Sequence, residues 1–245
     1  MKKLILISGI LLLSLNISWA QSGINQRIPL IGSEAPSFTA QSTNGQIVFP
    51  KDFGKNWKIL FAHPRDFTPV CSSEILEIAH QQDEFKRLGA QLVVVSTDDI
   101  DSHKSWKAAL EEVEYKGKKN VKIGFPLVAD QTYVIANSYG MLDSQSKTNL
   151  AQSIRGVFFI DPENKVRAFY FYPNEVGRNI EEIKRTLVAL QTNYSNNRVV
   201  LPANWKQGDD VMLPHLTQDE KDQMNLPNSN IYSKSWFMTY KKMDD

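Results

Sequence analysis

One cysteine occurs in the 245 residues, and it lies in the run His63-Pro64-Arg65-Asp66-Phe67-Thr68-Pro69-Val70-Cys71-Ser72-Ser73-Glu74. A single thiol forms no intramolecular disulfide, and nothing near Cys71 resembles a metal-ligand set. The chemistry open to it is nucleophilic, with the thiolate as the reactive form. On composition alone, a buried cysteine acting as a small hydrophobe is an equal alternative. The flanking residues favour the nucleophile. Pro64 ends an apolar run and Pro69-Val70 opens a helical pattern, so Cys71 falls in a first helical turn. Unpaired backbone N–H groups and the positive end of the helix dipole favour negative charge on sulfur there. Thr68 can cap this helix, or offer its hydroxyl to the sulfur and to whatever the sulfur attacks. Pro64 shields one side of the pocket from water. Glu74 follows the cysteine by about one turn on the same face, placed to orient a neighbouring cation. Arg65 and Asp66 read as a local ion pair or as turn residues.

An apolar strand before these residues and an amphipathic helix after them must hold them in place. Trp57 to Ala62 reads as a buried strand, ended by Pro64, since proline cannot continue a central ladder. Ile75, Ile78, Ala79, Phe85 and Leu88 recur at helical spacing until Gly89. Gln91 to Ser96 is the next strand, Ile100 to Val113 a second helix, Phe125 to Ala129 a short extended piece. Tyr133 to Tyr139 forms a third helix capped at Gly140. Gly156 to Ile160, the turn Asp161-Pro162-Glu163-Asn164, and Val166 to Tyr172 make a hairpin. Asn179 to Thr192 is a long helix with the stripe Ile180, Ile183, Leu187 and Leu190. Nearer the start, Gly32 to Phe38 and Ile47 to Phe49 flank the turn signal Asn44-Gly45. This alternation predicts an α/β sandwich with a mixed sheet, because the closing hairpin is antiparallel.

The chain divides into three parts on this reading. Met1-Lys2-Lys3, the apolar run Leu4 to Leu15 and the small residues of Ser18-Trp19-Ala20 predict a cleaved signal peptide over residues 1–20. The apolar run stops well short of the roughly 18 residues that a spanning helix needs. No cysteine follows it, which argues against a lipid-modified anchor. The expectation is an exported protein, periplasmic or secreted, with no membrane anchor. Residues 21–192 form the main domain. The composition shifts at Asn193-Tyr194-Ser195-Asn196-Asn197, and residues 193–245 carry Trp205, Tyr232, Trp236, Phe237 and Tyr240 with little periodicity. A tail this aromatic is poorly suited to disorder and should pack on its own body or on a partner.

Formal net charge is +1, and loss of Lys2 and Lys3 with the leader turns it slightly negative. That excludes a basic nucleic-acid footprint, and no polybasic membrane patch is present. His80, His103 and His215 show no ligand spacing, so neither metal nor cofactor is expected.

Pro64, Thr68 and Cys71 reproduce the Pro-x-x-x-Thr-x-x-Cys motif of peroxiredoxins, and the chain resembles the one-cysteine branch of that family. The run from His63 to Cys71 matches the branch, as do Ser96, Asp98, His103, Trp106 and Gly140-Met141-Leu142-Asp143. So do Gly177-Arg178-Asn179 and Pro202-Ala203-Asn204-Trp205-Lys206. The likeness extends from about Ile31 to Trp205 and more loosely to the end. It implies a thioredoxin-like fold with a small C-terminal peroxiredoxin extension, usually packed across a second subunit in a homodimer. It implies a thiol-dependent peroxidase, in which Cys71 reduces a hydroperoxide and an external thiol reductant restores the sulfur. By position, Thr68 would hydrogen-bond the peroxide and Arg155 would stabilise the thiolate and the developing oxyanion. His63 would line the pocket; its alternative is a strand-end histidine bonded to backbone. Some members carry a lipase-like Gly-x-Ser-x-Gly here, but Asn56 in Gly54-Lys55-Asn56-Trp57-Lys58 removes that nucleophile. The competing class is a redox-sensing holdase or assembly module on the same fold. Thiol–disulfide exchange of the Cys-x-x-Cys kind has no second cysteine to support it.

Overall fold

In the computed structural model, residues 28–143 and 152–243 are described. The predicted leader, residues 1–20, lies outside the described residues. No helix among the described residues is long and apolar enough to cross a membrane.

Among the described residues, ten strands and five α-helices follow one another as β1 (Phe38–Ser42), β2 (Gly45–Phe49), β3 (Trp57–Ala62), α1 (Pro69–Arg87), β4 (Ala90–Ser96), α2 (Ile100–Glu112), β5 (Leu127–Ala129), α3 (Val134–Ser138), β6 (Arg155–Ile160), β7 (Val166–Tyr172), α4 (Ile180–Ser195), β8 (Val211–Met212), α5 (Gln218–Met224), β9 (Ile231–Ser235) and β10 (Met238–Lys241). The first seven strands form one sheet in the order β2-β1-β5-β4-β3-β6-β7. Its centre is parallel, β3 against β4 and β4 against β5, while β6 and β7 return antiparallel. This is the mixed α/β sandwich that the alternation predicts, with thioredoxin-like architecture.

Strand residues alternate between two cores because successive side chains leave a strand on opposite faces. Trp57, Ile59 and Phe61 of β3, with Leu92, Val94, Val157 and Phe159, pack under α1, α2 and α4. Leu60, Ala62, Val93, Val95, Phe158 and Ile160 face α3 and the aromatic side chains Phe38, Phe49 and Phe53. Burial on both faces makes β3 apolar throughout, except for Lys58. The Lys58 ammonium is satisfied by Asn164 Oδ1 at 2.7 Å and the Asp161 carbonyl at 3.3 Å, which ties β3 to the β6–β7 turn.

Helix ends fall at their signals. Pro69 supplies the preset φ of the first position of α1, and Gly89 takes φ +67° just beyond its end. Asp99 and Asn179 cap α2 and α4 by accepting from the amides of Ser102 (2.7 Å) and Glu182 (3.1 Å). The first hairpin differs from the sequence expectation: its leading strand is Phe38–Ser42 rather than Gly32 to Phe38. Register explains it, since Ser42↔Gly45 closes the turn and Phe38↔Phe49 then brings two rings into a stack at 4.9 Å.

The C-terminal segment is not aperiodic. It builds a second sheet, β8-β10-β9, with α5 beside it. Val199, Trp205, Val211, Leu213 and Ile231 form a small third core that closes on Val188 and Ala189 of α4. So the aromatic tail packs on its own body, although Trp236, at 93 % exposure, and Phe237, at 64 %, remain bare at the β9–β10 turn.

Gly156 is required by close approach. A Cβ there would meet Met141 Sδ at 2.6 Å and Phe171 at 3.2 Å, one obstacle from each neighbouring segment. Gly156→Ala is therefore expected to destabilise the domain by about 1–3 kcal/mol. A urea midpoint equal to wild type would show that Met141 yields without cost.

Candidate active site

Three chain segments meet at Cys71. It stands at the third position of α1, its side chain fully buried. Proline removes one of the free amides of the first turn, and Thr68 provides no side-chain cap. That leaves the amides of Val70 and Cys71 without an intrahelical partner, at the positive end of a 19-residue helix. Arg155, the first residue of β6, donates from Nη1 to Cys71 Sγ at 3.3 Å. Guanidinium and helix terminus together place positive charge around the sulfur.

Arg155 is itself held rigidly. Nη1 also donates to Glu74 Oε2 at 2.7 Å, while Nε and Nη2 donate to the Asn174 carbonyl at 3.1 and 2.8 Å. Glu74 in turn grips Arg178, whose Nε and backbone amide reach Oε1 at 2.9 and 2.7 Å and whose Nη2 reaches Oε2 at 2.8 Å. The remaining Arg178 nitrogen donates to the carbonyls of Ala62 and Gly156 at 2.9 and 2.8 Å. One carboxylate thus fixes two buried guanidinium groups across α1, the end of β3 and the start of β6. The orienting role that the sequence assigns to Glu74 has its cation, and it has a second. Arg178 appeared in the sequence only within the Gly177-Arg178-Asn179 likeness. Nothing local marks it, because its carboxylate partner, Glu74, lies 104 positions away.

Thr68 does not cap α1. Its hydroxyl donates to the Arg65 carbonyl at 2.9 Å, and it makes no hydrogen bond to the sulfur among the described residues. Pro64 and Thr68 line a cavity of about 360 Å³ with Arg65, Pro69, Val70, Gln152, Arg155 and Asn174. Gln152 and Asn174 are additions that residue type alone does not suggest. Arg155 lines this cavity, and the fully buried Cys71 lies behind it, in contact with Arg155 but not in the lining; larger hollows on other faces contain neither residue.

His63 is fully buried and is not among the residues lining that cavity. Its ring lies 5.0 Å from that of Trp106, and neither ring nitrogen has a hydrogen-bond partner among the described residues. Asp66 does not pair with Arg65. Arg65 instead approaches Asp98 at 4.0 Å, and Asp66 turns inward to bond His103 Nδ1 and Ser102 Oγ, each at 2.8 Å. Ligand atoms of His63, Asp66 and His103 consequently lie within 4.8 Å of one another, a convergence of distant residues that spacing does not reveal.

The chain matches the AhpC/TSA family over residues 31–169 and the C-terminal domain of 1-Cys peroxiredoxin over residues 189–225. It is 45% identical over 218 residues to a peroxiredoxin of Methanosarcina mazei, covering 88% of this chain and 98% of that protein. A mitochondrial peroxiredoxin of Saccharomyces cerevisiae is 38% identical over 204 residues, covering 82% and 76%. Among solved structures, the chain is similar to a yeast mitochondrial 1-Cys peroxiredoxin studied for thiol resolution via glutathione/thioredoxin systems. The TM-score is 0.77 at 33% identity, covering 88% of this chain and 100% of the other. A cysteine-to-serine variant of peroxiredoxin 6 of Arenicola marina gives 0.75 at 29% identity, covering 88% and 99%.

Ionisation in this cluster sets the acid limit of the fold. Burial, then the charges of His103, Arg178 and Arg155, hold His63 well below its usual value of 6.5. Burial opposes ionisation of Glu74, yet the charge and hydrogen bonds of Arg178, with Arg155, hold its carboxyl below the usual 4.5. In both cases the unfolded chain takes up a proton that the native state refuses. Stability is complete above the unfolded value and is lost as pH falls towards the native one. Melting temperature is expected to fall in two stages, the first setting in below pH 6.5 and the second below 4.5. His63→Gln should remove the first stage alone; a two-stage profile in that variant would contradict the assignment.

Proposed function

The chain belongs to the AhpC/TSA family and is a thiol peroxidase with a single cysteine, and we propose that Cys71 reduces hydroperoxides through a sulfenic acid. The observation that carries this reading is the Arg155 donor 3.3 Å from Sγ at the N-terminus of α1. The sulfur attacks the terminal peroxide oxygen; an S–O bond forms and the O–O bond breaks. Water or an alcohol leaves once the departing oxygen takes up a proton. One external thiol then displaces water to give a mixed disulfide, and a second releases Cys71.

The other residues take roles suited to their geometry. Because the Thr68 hydroxyl already donates to Arg65, its lone pairs are left to accept from the peroxide O–H. Arg155 steadies charge on both the attacking sulfur and the departing oxygen, from a position that needs no reorganisation. Pro64 walls the cavity and, with Pro69 and Val70, gives it apolar sides. The substrate class we propose includes organic hydroperoxides beside hydrogen peroxide, since the cavity at Arg155 measures about 360 Å³. Glutathione- or thioredoxin-type thiols are the class of reductant, by analogy with the yeast relative. Export through the leader over residues 1–20 and a homodimer joined through the 193–245 segment complete the proposal. The bare Trp236 and Phe237 suit such an interface.

Peroxide should consume the Cys71 thiol and yield a dimedone adduct, with turnover abolished in Cys71→Ser. Thr68→Val and Arg155→Met are each expected to slow peroxide consumption by roughly a hundredfold or more. Consumption no faster than by a free thiol would end the peroxidase assignment, and wild-type rates in either variant would remove that residue from it. Sedimentation at micromolar concentration should report a dimer; a stable monomer would remove the C-terminal interface.

A further inference from the structure

Residues 63–68, between β3 and α1, form no regular helix or strand, yet Thr68 must be held to within a fraction of an ångström if its oxygen is to meet a peroxide. What holds it is a buried polar network with no part in the steps above. Asp66 Oδ2 accepts from Ser102 Oγ at 2.8 Å and faces His103 Nδ1 at 2.8 Å, both on α2. The other ring nitrogen, His103 Nε2, faces the Val128 carbonyl of β5 at 3.0 Å. The Asp66 amide donates to Asp98 Oδ2 at 2.9 Å, and that carboxylate accepts from Ser96 Oγ at 2.8 Å. Asp66 and His103 are both buried.

Hydrogen-bond bookkeeping fixes the protons. A carbonyl oxygen only accepts, so His103 Nε2 carries hydrogen. The contact between Nδ1 and the carboxylate then needs a second proton between them, shared by the pair. Asp66 and His103 are therefore joined by a charge-assisted bond away from water, of the strong kind. The groups facing the pair are His63, 3.6 Å from Asp66 Oδ1, and Asp98 with its partner Arg65 at 4.0 Å. Immediately after the anchor, Phe67 takes φ +56°, a left-handed conformation that a bulky residue adopts only under constraint. The anchor on one side and the proline-started helix on the other supply that constraint.

We infer that Asp66 and His103 are positioning residues for peroxide reduction: they latch the loop to α2 and β5, hold Phe67 in its strained turn and so place the Thr68 hydroxyl. Neither touches the substrate. The inference rests on the proposed role of Thr68, which the Thr68→Val rate tests separately.

The experiment compares Asp66→Ala, Asp66→Asn, Thr68→Val and the double variant Asp66→Ala/Thr68→Val. Each is measured for peroxide consumption, for alkylation of Cys71 by iodoacetamide, and for melting temperature. Asp66→Ala is expected to lose at least about tenfold in peroxide rate while alkylation stays within about threefold, since only the former uses Thr68. Asp66→Asn should recover to within about threefold, because its amide nitrogen can donate to Ser102 Oγ and to the bare Nδ1 of a neutral His103, whose Nε2 keeps its hydrogen for the Val128 carbonyl. The double variant should be no slower than Thr68→Val, as expected of residues acting through one group. A wild-type rate in Asp66→Ala overturns the inference. So does a rate in Asp66→Asn as low as in Asp66→Ala, or losses that multiply in the double variant. Should Asp66→Ala fail to fold, Ser102→Ala decides: a loss of about threefold with unchanged alkylation supports the latch, and a wild-type rate overturns it.

Discussion

A carboxylate buried between two guanidinium groups is the constraint on which the remainder of this molecule depends. Glu74 cannot be withdrawn from water unless it is paired, and Arg155 and Arg178 cannot be withdrawn without it. The bonds they exchange, at 2.7 to 2.9 Å, tie together α1, the loop preceding α4 and the first residue of β6. Those are the elements whose ends must meet for Arg155 to reach the sulfur. Removing Glu74 leaves two buried cations without their counter-ion, whereas removing either arginine still leaves one ion pair.

The fold exists to bring those ends together. Parallel pairing of β3 and β4, with α1 between them in sequence, places the start of α1 at the C-terminal edge of the sheet. Antiparallel β6 begins at that same edge, which is why a residue 84 positions after the cysteine can touch it. Strand β6 is buried on both faces, so the backbone carrying Arg155 is as rigid as any in the protein. The tight spot at Gly156 has the same origin. It sits where Met141, Phe171 and the Arg178 contact all need room.

Legibility in the sequence followed the range of the interactions. Elements with local periodicity or local punctuation were readable: β3 before Pro64, α1 between Pro69 and Gly89, the β6–β7 hairpin around its turn, and α4 from its Asn179 cap. Cys71, Thr68 and Pro64 stood in one short motif, and Glu74 followed at a helical interval. Residues whose meaning is set by partners far along the chain were not readable. Asp66 looked like a surface turn residue beside Arg65, yet it is buried against His103, 37 positions away. Arg178 looked like one basic residue among many. The small C-terminal sheet escaped because its strands are two to five residues long and mix polar with aromatic side chains, too short for a period to register.

Charge arithmetic joins the architecture to the reaction. Arg155 and Arg178 bring two positive charges into the interior and Glu74 returns only one negative charge. The Asp66–His103 pair, sharing its proton, is neutral as a unit and contributes nothing to the balance, and His63 is held uncharged. In the proposed mechanism a Cys71 thiolate would supply the second negative charge, 3.3 Å from the Arg155 guanidinium. In the proposed reaction, attack on a peroxide converts that thiolate to a neutral sulfenic acid and leaves the Arg155–Glu74–Arg178 cluster with one positive charge in excess. Positive charge beside the sulfur therefore also favours the step that returns a negative charge to it. An incoming thiol that resolves the sulfur and regenerates the thiolate closes the charge balance again, without a second cysteine in the chain.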